Sequence, residues 1–199
     1  MRKKQSPNVV IIYADDLGFG DVGCYGASDI HTPNIDRLAS RGISFNNGYA
    51  TAATCTPSRY SLLTGSYPWR NPQASILAGD SSNIIPSDMP TIARMFQTAG
   101  HRTAVVGKWH LGLGKDDIDW NRPISSTPND VGFDESFIMA ATNDRVPCVY
   151  VENRKVFGLT DDDPIEVTYD WEKAFPGEPT GRTNPELLRL DYSHGHDAA

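Results

Sequence analysis

SDMPTIARMFQTAGHRTAVVGKWHLG, residues 87–112, reads as a helix handed directly to a strand. Ser87 or Asp88 is placed to cap the helix, and Gly100 to end it. The apolar run that follows, 101–112, predicts a buried strand that runs out into a loop carrying Lys108 and His110. Working outward, NVVIIYADD (8–16) is a continuous β-branched run ending in two aspartates. Such a run suits a central strand of a parallel sheet, buried on both faces. TPNIDRLASRG (32–42) has a capping Thr32, Pro33 at the first helical position and a terminating Gly42. Helices that alternate with apolar strands predict an α/β fold with a mainly parallel central sheet flanked by helices.

The remaining segments fit around this frame. ISFNNGYATAAT (43–54) reads as a short strand and a loop, and CTPSRYSLLTG (55–65) as a helix closed by Gly65. Residues 66–87 are turn-rich and aperiodic, which predicts an excursion over the surface, and 68–80 within it would form one wall of a pocket. FDESFIMAAT (133–142) suits a strand or a short helix, and PCVYVENRKVFGL (147–159) a hairpin. From Thr160 the chain is acidic and proline-rich, with no closing element. That pattern reads as the N-terminal part of a longer protein. Residues 8–112 would form its motif-bearing core and 113–199 a loop-rich continuation, with the C-terminal part absent.

Composition narrows the function classes. Of the 199 residues, 39% are hydrophobic, enough to build a core. The net charge of -7, with RKK at 2–4 as the one basic run, argues against a nucleic-acid partner. No apolar stretch approaches the roughly 20 residues of a membrane span, and VVIIY is shorter than the roughly 7–15 residues of a signal core. The compartment stays open: periplasmic or secreted if an export signal has been removed, cytoplasmic if the N-terminus is native. Three widely spaced cysteines make neither a metal finger nor a fully paired set.

Three groups of residues carry candidate chemistry. Asp15 and Asp16 end a strand-like run, where adjacent carboxylates repel each other unless a hard cation such as Ca²⁺ or Mg²⁺ shares them. The plain alternative is one turn-capping and one solvated aspartate, and the pair alone does not decide between them. Cys55 placed at a helix N-cap would sit where backbone N–H groups and the dipole favour an anion, with Arg59 one turn on. A small buried cysteine beside a surface arginine is the competing reading. Lys108 and His110, two apart at a strand end, would point to one side, with Trp109 packed to the other. Lys108 suits an anion and His110 proton transfer, against a surface lysine and a structural histidine. Asn143, Asp144 and Arg145 form a polar cluster after an apolar run, either substrate-facing or an ordinary turn.

CTPSRYSLLTG resembles the sulfatase signature C-x-P-S-R-x-x-x-x-T-G at every fixed position. GHRTAVVGKWH (100–110) resembles the second sulfatase signature, and DDLGFGDVGCYG (15–26) with TPNIDRLASRGISF (32–45) resembles the opening of the same family. The likeness covers about 8–112 and is greatest to arylsulfatase A-type enzymes of the alkaline phosphatase superfamily, bacterial carbohydrate sulfatases in particular. It implies a formylglycine made from Cys55 by a maturase, whose hydrated aldehyde is the nucleophile toward a sulfate ester. Asp15 and Asp16 would bind Ca²⁺, or alternatively Mg²⁺, with an oxygen of modified residue 55. Arg59 would stabilise that oxygen, Lys108 would bridge nucleophile and sulfate, and His110 would help expel sulfate.

The family's remaining metal and sulfate ligands have no match here. His194 and His196 stand in a context that differs from the family's later histidine motif. The 199-residue chain alone is therefore expected to be inactive. Two other readings stand beside the sulfatase: a phosphoester or phosphonate hydrolase of the same superfamily, and a non-catalytic anion- or metal-binding fragment with unmodified Cys55. A general Cys–His hydrolase is disfavoured, since no residue has a protease-type context.

Overall fold

Residues 6–169 and residue 177 are described by the structure, a computed structural model. They belong to two compact units, Met1–Tyr49 and Ala50–Ala199. In the second unit, three of the sequence-predicted elements form, one at the predicted bounds and two within a narrower span. Helix α2 spans Cys55–Thr64 and stops at Gly65, whose φ of 67° and N–H bond to the Ser61 carbonyl make a left-handed cap. Helix α3 spans Ile92–Thr98. Strand β1 spans Ala104–Lys108.

Helix α3 begins later than residues 87 and 88 suggest. Its cap is Thr91, whose hydroxyl accepts from the Arg94 N–H at 3.1 Å. Pro90 explains the shift, because the residue before a proline is driven out of helical conformation. The hydroxyl of Thr91 also donates to the Val131 carbonyl at 2.6 Å, which fixes the helix start against the chain that enters the next strand.

The sheet is mixed, in the order β1-β2-β3-β4. Strand β2 (Glu135–Met139) runs parallel to β1, while β3 (Tyr150–Glu152) and β4 (Lys155–Val156) form an antiparallel hairpin beside it. Residues 135–139 are strand rather than helix because both neighbours supply ladder partners. Ser136 and Ile138 face inward and are buried, while Glu135 is exposed and Phe137 and Met139 are half-buried, the period of two expected of a half-covered sheet. The hairpin turns through Asn153 at φ 52°, a residue type that tolerates left-handed backbone. Its side-chain oxygen accepts from the Ser136 N–H at 3.0 Å.

Strand β1 is not buried on both faces: Val106 is 77% exposed, and among the described residues β1 pairs with β2 alone. The core lies on the other side. Ile138, Val151, Leu111, Leu113, Ile85 and Trp109 are each at most 2% exposed. Fully burying one such aliphatic side chain contributes about 1.5–3 kcal/mol.

Residues 66–87 do not simply pass over the surface. Ala74, Leu77, Ile84 and Ile85 are core residues, although Trp69 and Ile76 stay exposed. The second half of this loop is stitched to the segment after β1. The Ile84 N–H donates to the Leu111 carbonyl, the Leu113 N–H to Ser81 and the Asn83 N–H to Gly114, at 3.0–3.1 Å. Gly112 allows the approach: a Cβ there would lie 1.9 Å from the Ser82 carbonyl oxygen.

The first unit holds α1, Pro33–Arg41, with Pro33 in its first turn and Gly42 following it as the sequence indicates. The Asp36 carboxylate accepts from the Cys24 N–H at 2.7 Å and from the Thr32 hydroxyl at 3.0 Å, tying the glycine-rich loop to this helix. Residues 8–14 are not a strand here, and Val9 to Tyr13 are exposed. A β-branched run becomes a strand only when it joins a ladder, and residues 8–14 belong to no ladder among the described residues. Residues 43–54 likewise contain no strand.

Candidate active site

Four of the residues singled out by sequence lie in the second unit, where α2 meets the end of β1. Cys55 is the first residue of α2; Thr54, extended at φ -119° and ψ 162°, is the cap. The cysteine thus stands one position further in than its spacing suggests. The first turn still contains Pro57, whose missing N–H costs nothing there. Lys108, the last residue of β1, brings its ammonium Nζ to 2.9 Å from the Cys55 sulfur. Arg59 donates from Nη1 to the Lys108 carbonyl at 2.7 Å. The arginine thereby fixes the strand end from which the lysine reaches, and it is half-buried rather than a surface group.

His110 follows after Trp109, which packs into the core and donates from its indole to the Gly112 carbonyl at 2.9 Å. Alternation along β1 does not orient His110, because the strand has ended and the residue holds φ 53°. Its N–H still donates to the Ala140 carbonyl at 3.0 Å. The imidazole is 1% exposed, and its Nε2 lies 2.9 Å from the Leu77 carbonyl. A carbonyl only accepts, so Nε2 carries the proton and Nδ1 is the bare nitrogen. Nδ1 is buried without a hydrogen-bond partner among the described residues. Neither the Leu77 carbonyl nor the Thr56 hydroxyl, which donates to the His110 carbonyl at 2.7 Å, was legible in the sequence. A backbone acceptor has no residue signature, and Thr56 and His110 are 54 positions apart.

Burial pushes the His110 pKa down, and despite the opposing Leu77 bond the charges of Lys108, Arg145 and Arg59 leave it at about 4, against 6.5. The folded state thus holds a neutral ring, while the unfolded chain takes up a proton below about pH 6.5. Since the unfolded state binds more protons there, stability falls as pH drops from 6.5 to 4 and is unaffected above 6.5. Denaturant titrations at pH 7.5 and 4.5 should show a His110-dependent loss of roughly 2–3 kcal/mol. His110→Gln should flatten that difference; an equal loss in the variant would assign it to other groups.

Arg145 lies within electrostatic reach of His110, and its side chain is 13% exposed. Its guanidinium bonds Thr142 Oγ1 at 3.3 Å and contacts Asp144 at 3.5 Å. Asn143 and Asp144 are exposed turn residues, and the turn is closed by the Cys148 thiol donating to the Asn143 and Arg145 carbonyls at 3.3 Å. Asp15 and Asp16 belong to the first unit and are exposed, with Asp16 at φ 53°. His194 and His196 lie outside the described residues.

These contacts define an α/β protein that presents a sulfur side chain at a helix start with a strand-end ammonium against it. The chain belongs to the sulfatase family, whose defining sequence pattern matches residues 7–160. It is 52% identical over 197 residues to the N-acetylgalactosamine-6-O-sulfatase of Bacteroides thetaiotaomicron, covering 98% of this chain and 38% of that protein. A stretch of 113 residues is 47% identical to human steryl-sulfatase, covering 54% of this chain and 19% of the human protein. Among solved structures, a Bacteroides thetaiotaomicron protein described under the metabolism of multiple glycosaminoglycans superposes with a TM-score of 0.81 at 52% identity. That match covers 94% of this chain and 39% of the solved one. The chain thus spans under half the length of each of these relatives. No helix among the described residues is long and apolar enough to cross a membrane.

Proposed function

We propose that the protein containing these residues hydrolyses the sulfate ester of a carbohydrate, with residue 55 as nucleophile after conversion of Cys55 to formylglycine by a maturase. The observation that carries this reading is the 2.9 Å contact between Lys108 Nζ and the Cys55 sulfur at the start of α2. An ammonium and a helix N-terminus at one atom suit an incoming sulfate, whose oxygens must be neutralised before attack at sulfur. Lys108 holds the ester against residue 55, and Arg59 holds Lys108 through its carbonyl. His110, kept neutral, offers Nδ1 as a proton acceptor. Formylglycine supplies two hydroxyls on one carbon, one for attack and one for release of sulfate. Arg145 is the strongest of the three proposed substrate contacts, because its charge acts on His110, whereas Asn143 and Asp144 are exposed turn residues.

The donor chemistry also fits a metal. Asp15 and Asp16 are hard carboxylate donors suited to Ca²⁺ or Mg²⁺, whereas the sulfur of an unconverted Cys55 is not. An oxygen at residue 55 removes that mismatch, so the Asp15, Asp16 and residue 55 ligand set is consistent only with the converted side chain. The cation would neutralise charge on the ester. In this reading residues 8–112 are the motif-bearing part of the catalytic domain and 113–199 its continuation.

The name of the 52% identical relative makes 6-O-sulfated N-acetylgalactosamine the first substrate to test. Full-length protein, coexpressed with a maturase, should release sulfate from this sugar and leave the matching 6-phosphate almost untouched. Faster phosphate release would move the reading to the phosphoester hydrolases. No release of either, with Cys55 still a thiol by intact mass, would favour a non-catalytic anion-binding protein.

A further inference from the structure

Thr56 has no part in the chemistry above, yet it is fully buried and its hydroxyl donates to the His110 carbonyl at 2.7 Å. His110 holds left-handed backbone at φ 53°, which a non-glycine residue keeps only where its surroundings determine it. Two bonds do so from either side of its Cα: the His110 N–H to the Ala140 carbonyl at 3.0 Å, and the Thr56 hydroxyl to its own carbonyl. From this backbone the imidazole meets the Leu77 carbonyl, which leaves Nδ1 bare. Thr56 also adjoins Cys55 on the first turn of α2.

We propose that Thr56 is a positioning residue that locks His110 into its left-handed backbone and so sets the imidazole in register with residue 55. One hydroxyl thereby couples the start of α2 to the loop after β1. Serine preserves this bond and valine removes it with little change of volume. The inference rests on the reading of residue 55 and His110 as one site, but the bond itself can be tested without turnover.

The test uses full-length protein with Thr56→Val, Thr56→Ser and, as a control, Ser61→Ala. Ser61 is buried on the same helix, but its hydroxyl bonds the Pro57 carbonyl. Formylglycine content is measured by intact mass, and rates are normalised to it. Thr56→Val should lower kcat by roughly ten- to a hundredfold with KM little changed, as expected when a reacting group is displaced without loss of binding. It should also shift the imidazole NMR signals of His110. Thr56→Ser should restore most of both, and Ser61→Ala should change neither. A Thr56→Val enzyme with normal kcat and an unshifted His110 would overturn the proposal, as would failure of serine to rescue. If Thr56→Val does not fold, Thr56→Ala is read by the same criteria. Wild-type protein without sulfatase activity but with a valine-sensitive His110 signal would refute the functional reading and leave the positioning role standing.

Discussion

Cys55→Ala in the full-length protein is expected to reduce sulfate release by roughly three orders of magnitude or more, the loss that follows removal of a nucleophile. The side chain is half-buried, and α2 keeps its cap at Thr54 and its stop at Gly65, so the variant should fold. Wild-type protein made without a maturase should match it, because a thiol next to Lys108 lacks the second hydroxyl needed for turnover. Intact mass separates the cases: conversion of thiol to aldehyde lowers the mass by about 18 Da. Cys55→Ala activity within tenfold of wild type would remove residue 55 from the mechanism. Substantial release by converted and unconverted protein alike would remove formylglycine while keeping the residue.

Gly112→Ala is expected to be the most damaging glycine-to-alanine change among the described residues of the second unit. Its φ is 76°, and a Cβ would sit 1.9 Å from the Ser82 carbonyl oxygen and 2.4 Å from its carbon. Neither contact is the tip of a flexible side chain, so backbone must move. Gly65 provides the internal comparison, because its φ is a similar 67° and a Cβ there meets nothing within 4 Å. Gly65→Ala should therefore cost about 1 kcal/mol for strained backbone alone, and Gly112→Ala roughly 3 kcal/mol or more. The larger effect should extend to turnover, since pushing residues 81–84 off 111–114 disturbs the loop that presents the Leu77 carbonyl to His110. Denaturation midpoints and kcat of the two variants check both statements; equal midpoints would show that the loop yields without cost.

Local chemistry explains which features sequence made legible. Gly65 announced the end of α2, and the apolar run after Gly100 announced β1. Thr91 was missed as a cap because Ser87 and Asp88 offer equally good oxygens, and only Pro90 decides between them. Residues 8–14 have the composition of a central strand, but composition is a demand for partners and does not supply them. The grouping of Cys55, Arg59, Lys108 and His110 came from motif order. Their contacts depend on a backbone at φ 53° and on the Lys108 and Leu77 carbonyls, which no residue type encodes. The aperiodic stretch 66–87 looked like surface because its inward residues follow neither period, although Ile84 and Ile85 are among the most buried.

That loop joins two opposite demands in one segment. Its inner half, pinned by Ile84, Ile85 and the bonds to 111–114, fixes an acceptor for a buried imidazole. Its outer half carries Tyr67 stacked on Trp69 at 4.1 Å, the tryptophan 69% exposed and outside the core. Replacements at the exposed Trp69 touch none of the bonds that hold the inner half. The fold thus gives evolution, or a protein engineer, a surface to rewrite on the same loop whose other half serves a fixed chemical centre.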